Sequence, residues 1–216
     1  MIVRTISDLV TAVEDCEERN GRRLVAIAGP PGVGKSTLSS RLCRQLAAGG
    51  HRAAIVQMDG FHLDNATLDS LGLREKKGAP ETFDAESFVE TIEQLRSGSA
   101  DVGVPEFDRE ADRVRSGSTV VDKDCQIVLV EGNYLLLDSQ PWTRLQPLFD
   151  CRIFMTVGIG ELRERLVSRW LAHGFDLHSA EAKALGNDIP NAERVLAHSS
   201  LADIVYHPLN LADLPG

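Results

Sequence analysis

A glycine-rich loop between an apolar run and a helix-forming segment constrains this chain more than any other feature. Residues 29–37 read Gly-Pro-Pro-Gly-Val-Gly-Lys-Ser-Thr and match the phosphate-loop pattern G-x-x-x-x-G-K-S/T. The apolar residues 24–28 predict a buried strand, and residues 38–47 have helical periodicity up to a Gly-Gly pair. A chance glycine-rich turn is the alternative, which this order of strand, loop and helix disfavours. The pattern therefore predicts a nucleoside triphosphate site.

The residue types of the loop suit a crowded, highly charged triphosphate. Glycines remove the Cβ atoms that would block the approach of backbone N–H groups, and the start of the following helix adds a positive dipole end. Lys35 supplies a mobile charge for the β- and γ-phosphates, and the Ser36 hydroxyl is placed to bind Mg²⁺. The predicted nucleotide-binding residues of the loop are Gly29, Pro30, Pro31, Gly32, Val33, Gly34, Lys35, Ser36 and Thr37.

Composition narrows the remaining possibilities. A chain of 216 residues that is 43% hydrophobic predicts one domain around one core. No apolar run has the length of a membrane span and the N-terminus lacks a signal pattern, so we expect a cytoplasmic protein without a membrane partner. The net charge of −9 disfavours nucleic acid as a partner. The four cysteines contain no C-x-x-C pair, which favours reduced thiols over zinc ligands or disulfides.

The rest of the chain alternates between strand-like and helix-like segments. Strands are predicted at residues 24–28, 53–57, 125–130, 151–157 and 203–206. Helices are predicted at residues 7–19, from Asp64 or Asn65, from Asp84, at residues 161–173, after Ser179 and after Pro190. This alternation predicts an α/β fold, a three-layer αβα sandwich of the P-loop NTPase type with a mostly parallel five-stranded sheet. In such a sheet, ligands bind beyond the carboxyl ends of the strands.

Two acidic residues stand at those strand ends. Asp59 follows the predicted strand 53–57, where a carboxylate could accept the proton of an attacking alcohol, orient that alcohol or hold a Mg²⁺-bound water. A helix-capping or loop aspartate is an equally weighted alternative. Glu131 ends an apolar strand in the Walker B arrangement, which reaches Mg²⁺ directly or through water. Glu131 and Ser36 are therefore the predicted metal ligands, and an ordinary strand-end acid is the weaker alternative.

Further motifs resemble a known family. Asp-Gly-Phe at residues 59–61 and Lys-Gly-Ala-Pro-Glu-Thr-Phe-Asp at residues 77–84 resemble the bacterial pantothenate kinase pattern D-G-F … R-K-G-x-P-E-S-Y-D. Residues 105–109 are similar to the P-x-Y/F-D/S substrate segment of uridine and pantothenate kinases, and residues 131–135 to an E-G-x-x-x-L run of the same superfamily. The chain thus resembles the phosphoribulokinase, uridine kinase and pantothenate kinase superfamily of P-loop kinases. It is most similar to its fructose-transport-system-kinase-like, or nucleoside-kinase-like, branch.

The resemblance implies an ATP-dependent kinase that transfers the γ-phosphoryl group of MgATP to a hydroxyl of a small metabolite: a sugar, a nucleoside or a pantothenate-like alcohol. Asp59 falls on the family's catalytic base, while Ser36 and Glu131 fall on its Mg²⁺ shell. Relatives form homodimers or larger assemblies, so the resemblance makes a homodimer an expectation. A non-catalytic ATP sensor, or a P-loop NTPase without an acceptor, stays an alternative. The N-K-x-D motif of GTPases and the L-S-G-G-Q signature of ABC ATPases are absent from the sequence.

Relatives also carry arginines that close over the phosphates, on a helix after the strand that ends near residue 157. Arg165 and Arg169 are the candidates here, since their i,i+4 spacing puts both on one helical face. Guanidinium groups suit the charge of the transferring phosphoryl group. The alternative explanation of the same residues is a solvent-facing row of ion pairs with Glu161 and Glu164. The predicted catalytic residues are Asp59, Lys35, Arg165 and Arg169.

Acceptor contacts are expected from segments around residues 60–84, 102–121 and 160–186 of a single P-loop kinase domain that spans residues 1–216. The candidate substrate-binding residues are Phe61, His62, Lys77, Phe107, Arg109 and Tyr134. For His62 an exposed or locally bonded side chain is the simpler explanation, and for Phe107 and Tyr134 a packing role is. For Lys77, a solvated side chain and a contact with phosphate or acceptor are equally weighted alternatives.

Asn187 lies in a segment, residues 186–191, that resembles the N-I-x-P-T-R segment near the adenine of pantothenate kinase. A helix-start loop capped by Asn191 is the alternative. Two departures weigh against pantothenate as the acceptor. Lys76-Lys77-Gly78 replaces the family's R-K-G, which removes the bidentate fork of arginine, and the extra length of pantothenate kinase has no counterpart here.

Overall fold

The computed structural model describes residues 1–207 apart from the Ser118 side chain, and these residues form eight strands and seven α-helices. The strands are β1 (Ile2–Val3), β2 (Arg23–Ala28), β3 (Ala53–Gln57), β4 (Val102–Asp108), β5 (Arg113–Val121), β6 (Ile127–Gly132), β7 (Cys151–Met155) and β8 (Ile204–Tyr206). The helices are α1 (Ile6–Glu14), α2 (Lys35–Ala48), α3 (Asn65–Ser70), α4 (Ala85–Ser97), α5 (Ile159–Ala172), α6 (Leu177–Lys183) and α7 (Ile189–His198).

The main sheet is parallel throughout, in the order β1-β8-β7-β2-β6-β3. The α/β class and the predominantly parallel sheet are therefore confirmed. The predicted count of five strands is wrong, because the sheet has six strands within residues 1–207. The additional one, β1, has only two residues and pairs with β8 at the sheet edge. Two residues are too few for apolar periodicity to reveal a strand.

Apolar side chains cover both faces of the sheet. Alternate residues of β2 point to opposite faces, so that Ala26 packs towards α4 while Val25 and Ile27 pack towards α1, α2 and α5. A strand that is buried on both faces is apolar at nearly every position, which explains the continuous run at residues 24–28. The layers are thus helix, sheet and helix, with the carboxyl ends of β2, β3 and β6 at one edge.

An antiparallel hairpin of β4 and β5 lies outside the main sheet. Its register shifts between Val104 and Glu106, and it packs against the 3₁₀ turn Met58–Phe61 that follows β3. The contact is tight at Gly60, where a Cβ atom would lie 2.2 Å from the carbonyl oxygen of Pro105. The hairpin therefore brings residues 105–109 next to the end of β3.

The helices α6 and α7 are joined by a π-turn, Ala184–Asp188, without an intervening loop. Asn191 lies inside α7 and is buried, so the alternative of a helix-start loop capped by Asn191 is wrong. Its side chain donates instead to Asn187 Oδ1 at 3.1 Å. Within residues 1–207, no helix combines the length and the apolar character that crossing a bilayer requires.

Candidate active site

The phosphate loop joins the end of β2 to the start of α2, as the sequence predicts. Its glycines are required by the backbone and by close packing. Gly32 has a φ of 79°, and a Cβ atom there would lie 2.9 Å from Leu166 Cδ2 of α5. At Gly29 a Cβ atom would lie 2.5 Å from the carbonyl oxygen of Met155. The loop is thus held between α5 and the end of β7, with the first turn of α2 directed at the cleft.

Lys35 is the first residue of α2, and its ammonium group lies within the loop. Its Nζ donates to the carbonyl oxygen of Pro30 at 3.0 Å and to Asn133 Oδ1 at 2.6 Å. Burial lowers the pKa of Lys35 to about 8, although the negative charges of Glu131 and Asp59 oppose this shift. The negative charges of the protein therefore balance the positive charge of the Lys35 ammonium group only in part. An anionic ligand would stabilise the charged form.

Glu131 lies near the end of β6 and is buried. Gln57 Nε2 donates to its Oε1 at 2.7 Å, whereas Oε2 is buried without a hydrogen-bond partner of normal geometry among the described residues. Burial raises the pKa of Glu131, and the opposing effects of Lys35 and Ser36 only reduce this shift. A buried carboxylate oxygen without a partner is costly, and a bound cation would satisfy it.

The arrangement fits Mg²⁺ bound chiefly through a substrate. Within residues 1–207, no group of three or more His, Cys, Asp or Glu side chains is placed to hold a metal ion. Mg²⁺ typically uses one or two protein ligands together with phosphate oxygens and water. Glu131 and the exposed hydroxyl residue Ser36 would provide such a pair, since both line one cleft.

Asp59 lies in the 3₁₀ turn after β3 and lines that cleft together with Arg165 and Arg169 of α5. Its side chain is 31% exposed, and its Oδ2 accepts a hydrogen bond from Arg109 Nη2 at 2.7 Å. Arg109 follows β4 at the tip of the hairpin, so that residues 50 positions apart meet here. The carboxylate is thus held at the cleft surface by an exposed cation.

The two arginines of α5 also reach the cleft. Arg165 Nη1 donates to the carbonyl oxygen of Val33 in the phosphate loop at 3.1 Å, and its other end pairs with Glu161. Arg169 Nη2 donates to Asp188 Oδ2 at 3.0 Å. The ion pair between Arg165 and Glu161 that the sequence suggested is therefore present, but it does not remove either arginine from the cleft.

One cleft of about 470 Å³ brings most of the predicted catalytic, metal-binding and phosphate-binding residues together. Its lining comprises Pro31, Gly32, Gly34, Lys35, Ser36, Thr37, Met58, Asp59, Arg109, Glu131, Gly132, Asn133, Arg165 and Arg169. The predicted loop residues Gly29, Pro30 and Val33 are buried behind this surface. The cleft therefore combines the cations Lys35, Arg109, Arg165 and Arg169 with two carboxylates, Asp59 and Glu131.

Two predicted acceptor residues flank the Asp59 turn without lining the cleft. The His62 ring lies between those of Phe83 and Phe107, with centroids 4.1 and 4.9 Å away, and its Nδ1 is 2.8 Å from the Asp59 carbonyl oxygen. Burial lowers the pKa of His62. Lys77 donates to Asp112 Oδ1 at 2.6 Å and lies over the Phe107 ring. These contacts fix the wall beside Asp59.

Three other predicted site residues, Phe61, Tyr134 and Asn187, do not line the cleft either. Phe61 is buried in the core, edge-on to Phe88. Tyr134 is fully buried, and its hydroxyl donates to the Gly78 carbonyl oxygen at 2.6 Å. Asn187 donates to the carbonyl oxygen of Lys77 at 2.8 Å. All three support the segments that surround the cleft.

Sequence reasoning missed three residues that hold the predicted ones in place: Gln57 beside Glu131, Asn133 beside Lys35 and Asp188 beside Arg169. Asn133 had a signal, since it follows Glu131-Gly132 at the carboxyl end of a strand. Gln57 is the last residue of β3, the strand that neighbours β6 in the sheet. Asp188 had no comparable signal, because its partner lies on another helix.

The chain is similar in sequence to several known proteins. The chain is 40% identical to YggC from Escherichia coli K12 over 188 residues, 85% of this chain and 77% of that protein. It is 31% identical over 223 residues to C227.14 of Schizosaccharomyces pombe, provisionally named a uridine kinase, with 97% and 93% of the two chains covered.

A solved structure from Silicibacter sp. TM1040, provisionally named a fructose transport system kinase, is 42% identical and superposes with a TM-score of 0.90. The match covers 94% of this chain and 99% of that one. A family model described as "Methylmalonyl Co-A mutase-associated GTPase MeaB" matches residues 7–62 only, the part that holds the phosphate loop and Asp59. Taken together with the cleft, these similarities show that the chain belongs to the P-loop kinases of the uridine kinase and pantothenate kinase family.

Proposed function

We propose that this protein transfers the γ-phosphoryl group of MgATP to a hydroxyl group of a small metabolite. The observation that carries the proposal is the position of Asp59, whose carboxylate lines the same cleft as Lys35, Ser36 and Glu131. A phosphate loop alone is compatible with hydrolysis or with sensing. A carboxylate in the same cleft as the phosphate loop would supply the base that an acceptor alcohol needs. Membership of a family of small-molecule kinases supports the same conclusion.

The phosphate loop and α5 would hold the donor. The N–H groups at the start of α2 and the Lys35 ammonium group would bind the β- and γ-phosphates. Ser36 and Glu131 would hold Mg²⁺, which neutralises charge on the phosphate oxygens when it is bound. Arg165 and Arg169 line the same cleft, where their guanidinium groups would stabilise the charge of the transferring group.

Asp59 would act on the acceptor. Its carboxylate takes the proton of the acceptor hydroxyl while the hydroxyl oxygen attacks the γ-phosphorus, and the bond from that phosphorus to the bridging oxygen breaks to release ADP. Arg109 holds the carboxylate from the hairpin side. The aromatic wall of Phe83, His62 and Phe107 stands next to the turn and would border the acceptor.

The test is detection of a phosphorylated product. The protein is incubated with MgATP and a mixed pool of sugars, nucleosides and other small alcohols, and mass spectrometry follows the gain of one phosphoryl group. We expect a product that forms in step with ADP. Asp59→Asn should reduce its rate about a hundredfold or more and leave ATP affinity within about threefold, because the amide cannot accept the proton.

Asp64→Asn is the matched control, since Asp64 caps α3 five residues later and its carboxylate accepts from Thr67. ATP consumption that no acceptor stimulates would instead indicate a sensor or a simple NTPase. Loss of ATP affinity in Asp59→Asn equal to the loss of rate would place Asp59 in metal binding or in the fold.

A further inference from the structure

Asp188 is a buried acid outside the cleft that contacts a cleft arginine directly. It is 8% exposed and lies at the end of the π-turn between α6 and α7. Its Oδ2 accepts a hydrogen bond from Arg169 Nη2 at 3.0 Å and another from Trp170 Nε1 at 2.7 Å. A carboxylate that accepts from two side chains of consecutive helix residues fixes both of them.

Arg169 needs such a partner because it stands on the exposed edge of the cleft. Its side chain is 37% exposed, and its guanidinium carbon lies 5.4 Å from the centre of the Trp170 ring. Its charge also contributes to lowering the pKa of Lys35, which places the two cations close together. Two like charges around one ligand position repel, so the arginine would turn towards solvent without an opposing group.

The turn that carries Asp188 is itself anchored. The preceding residue, Asn187, donates to the carbonyl oxygen of Lys77 at 2.8 Å and accepts from Asn191 of α7 at 3.1 Å. The π-turn is therefore tied to the segment beside Asp59 and to α7 at once. The Asp188 carboxylate is held in place by its own backbone as well as by its partners.

We infer that Asp188 is a positioning residue for the phosphoryl donor: it holds the Arg169 guanidinium over the cleft and acts on the triphosphate only through it. This inference rests on the proposed function, since it assigns Arg169 to the phosphates of ATP. It predicts that the effects of Asp188 and Arg169 are not independent.

A double-mutant cycle with the β,γ-imido analogue of ATP and Mg²⁺ tests the inference without an acceptor. Calorimetry gives the Kd for the wild type, Asp188→Asn, Arg169→Met and the double variant. We expect Arg169→Met to weaken binding about tenfold or more, because it removes a charge-assisted contact, and Asp188→Asn to weaken it about fivefold. In the Arg169→Met background, Asp188→Asn should change Kd by less than about twofold.

Asp188→Glu separates charge from packing. A longer acid keeps the charge but is crowded at a buried position, so a positioning role predicts better binding than in Asp188→Asn, and a packing role predicts the reverse. Asp176→Asn is the control, because Asp176 caps α6 and accepts from Ser179 in the same segment. Circular dichroism verifies that each variant is folded.

The results of these binding experiments test the role of Asp188 separately from the proposed kinase function. Additive effects in the cycle, or weaker binding by Asp188→Glu than by Asp188→Asn, overturn the role of Asp188 and leave the kinase proposal intact. A wild-type protein that binds neither ATP nor its analogue overturns both.

Discussion

At the scale of single residues, the cleft holds two groups of opposite charge that the protein only partly compensates. Burial shifts the pKa of Lys35 down and that of Glu131 up, in each case towards the neutral form. The Coulombic attraction between them opposes both shifts but does not cancel either. A triphosphate with Mg²⁺, as proposed above, would supply the missing charges of both signs. Its binding would therefore offset the cost of burying these groups.

A proton should accordingly be taken up when ATP binds. With a pKa of about 8, Lys35 is about half protonated at pH 8 in the nucleotide-free protein, and a bound triphosphate keeps it protonated. We expect uptake of about half a proton at pH 8, falling towards zero near pH 6.5, with affinity decreasing as the pH rises above 8. Calorimetric titrations in buffers of different ionisation enthalpy measure this number.

Lys35→Arg serves as the control for that measurement, since a guanidinium group stays charged throughout this range and its binding should show no such uptake. Equal uptake by both proteins would assign the proton to another group. The lowered pKa of the buried Lys35 would then not be the cause of the proton uptake.

At the scale of elements, the hairpin of β4 and β5 determines where Asp59 and Arg109 meet. The hairpin contacts the 3₁₀ turn after β3 so closely that Gly60 leaves no room for a side chain against Pro105. The pair of Arg109 and Asp59 spans the same junction. Any change that separates hairpin and turn should therefore alter the acceptor side of the cleft more than the phosphate side.

Gly60→Ala tests this junction. Its Cβ atom would lie 2.2 Å from a backbone carbonyl oxygen, so the hairpin must move, and we expect the free energy of unfolding to fall by about 1–3 kcal/mol. Phosphoryl transfer should fall as well, while ATP affinity stays nearly constant. Chemical denaturation and the product assay measure the two effects.

Gly103→Ala is matched to it, because Gly103 lies in the same hairpin and a Cβ atom there would be 4.0 Å from the nearest atom, Gly117 Cα. It should change stability by less than about 0.5 kcal/mol. An equal loss in both variants would mean that the hairpin responds to any substitution and not to the contact at Gly60.

Some elements were predictable from the sequence and others were not, and the two groups are stabilised in different ways. The strands of the main sheet are buried on both faces, so their apolar runs were visible. The segment 102–121 was expected only to line the acceptor, because β4 includes Gly103 and Pro105 and only two of its seven residues are buried. The π-turn at residues 184–188 depends on tertiary contacts of Asn187 and Asp188, which no local pattern encodes.

The site follows the same division. The phosphate loop and the acids at positions 59 and 131 were predictable, because the chemistry requires those residue types at the ends of parallel strands. The residues that orient them come from other elements and vary in type. Arg109 was a candidate for the acceptor, but its contact with Asp59 crosses 50 positions and depends on the hairpin. Sequence therefore predicts which groups line the cleft, and the fold determines which residues hold them.

At the scale of the whole molecule, different residues line the two ends of the parallel strands. The cleft lies at their carboxyl ends, whereas a buried cluster of ion pairs around Asp150, just before β7, lies at their amino ends. Its side chain is 1% exposed, pairs with Arg19 and Arg96, and accepts from the backbone nitrogen of Leu24 at 2.8 Å. The cluster thus joins the start of β2, the end of α4 and the start of β7.

Breaking this cluster should reduce stability and leave the chemistry unchanged. In Asp150→Asn the Arg96 side chain, only 11% exposed, loses its carboxylate, and burial already lowers the pKa of Arg96. An uncompensated buried charge typically costs about 3–5 kcal/mol, so we expect a loss of that size in the free energy of unfolding by urea denaturation. Asp124→Asn, which affects an exposed pair with Arg52, should cost less than about 0.5 kcal/mol.

ATP affinity at 25 °C should stay within about twofold in both variants, because the parallel strands separate the cluster from the cleft by their full length. A loss of affinity in Asp150→Asn at temperatures where it is folded would show instead that the two ends are coupled through the sheet.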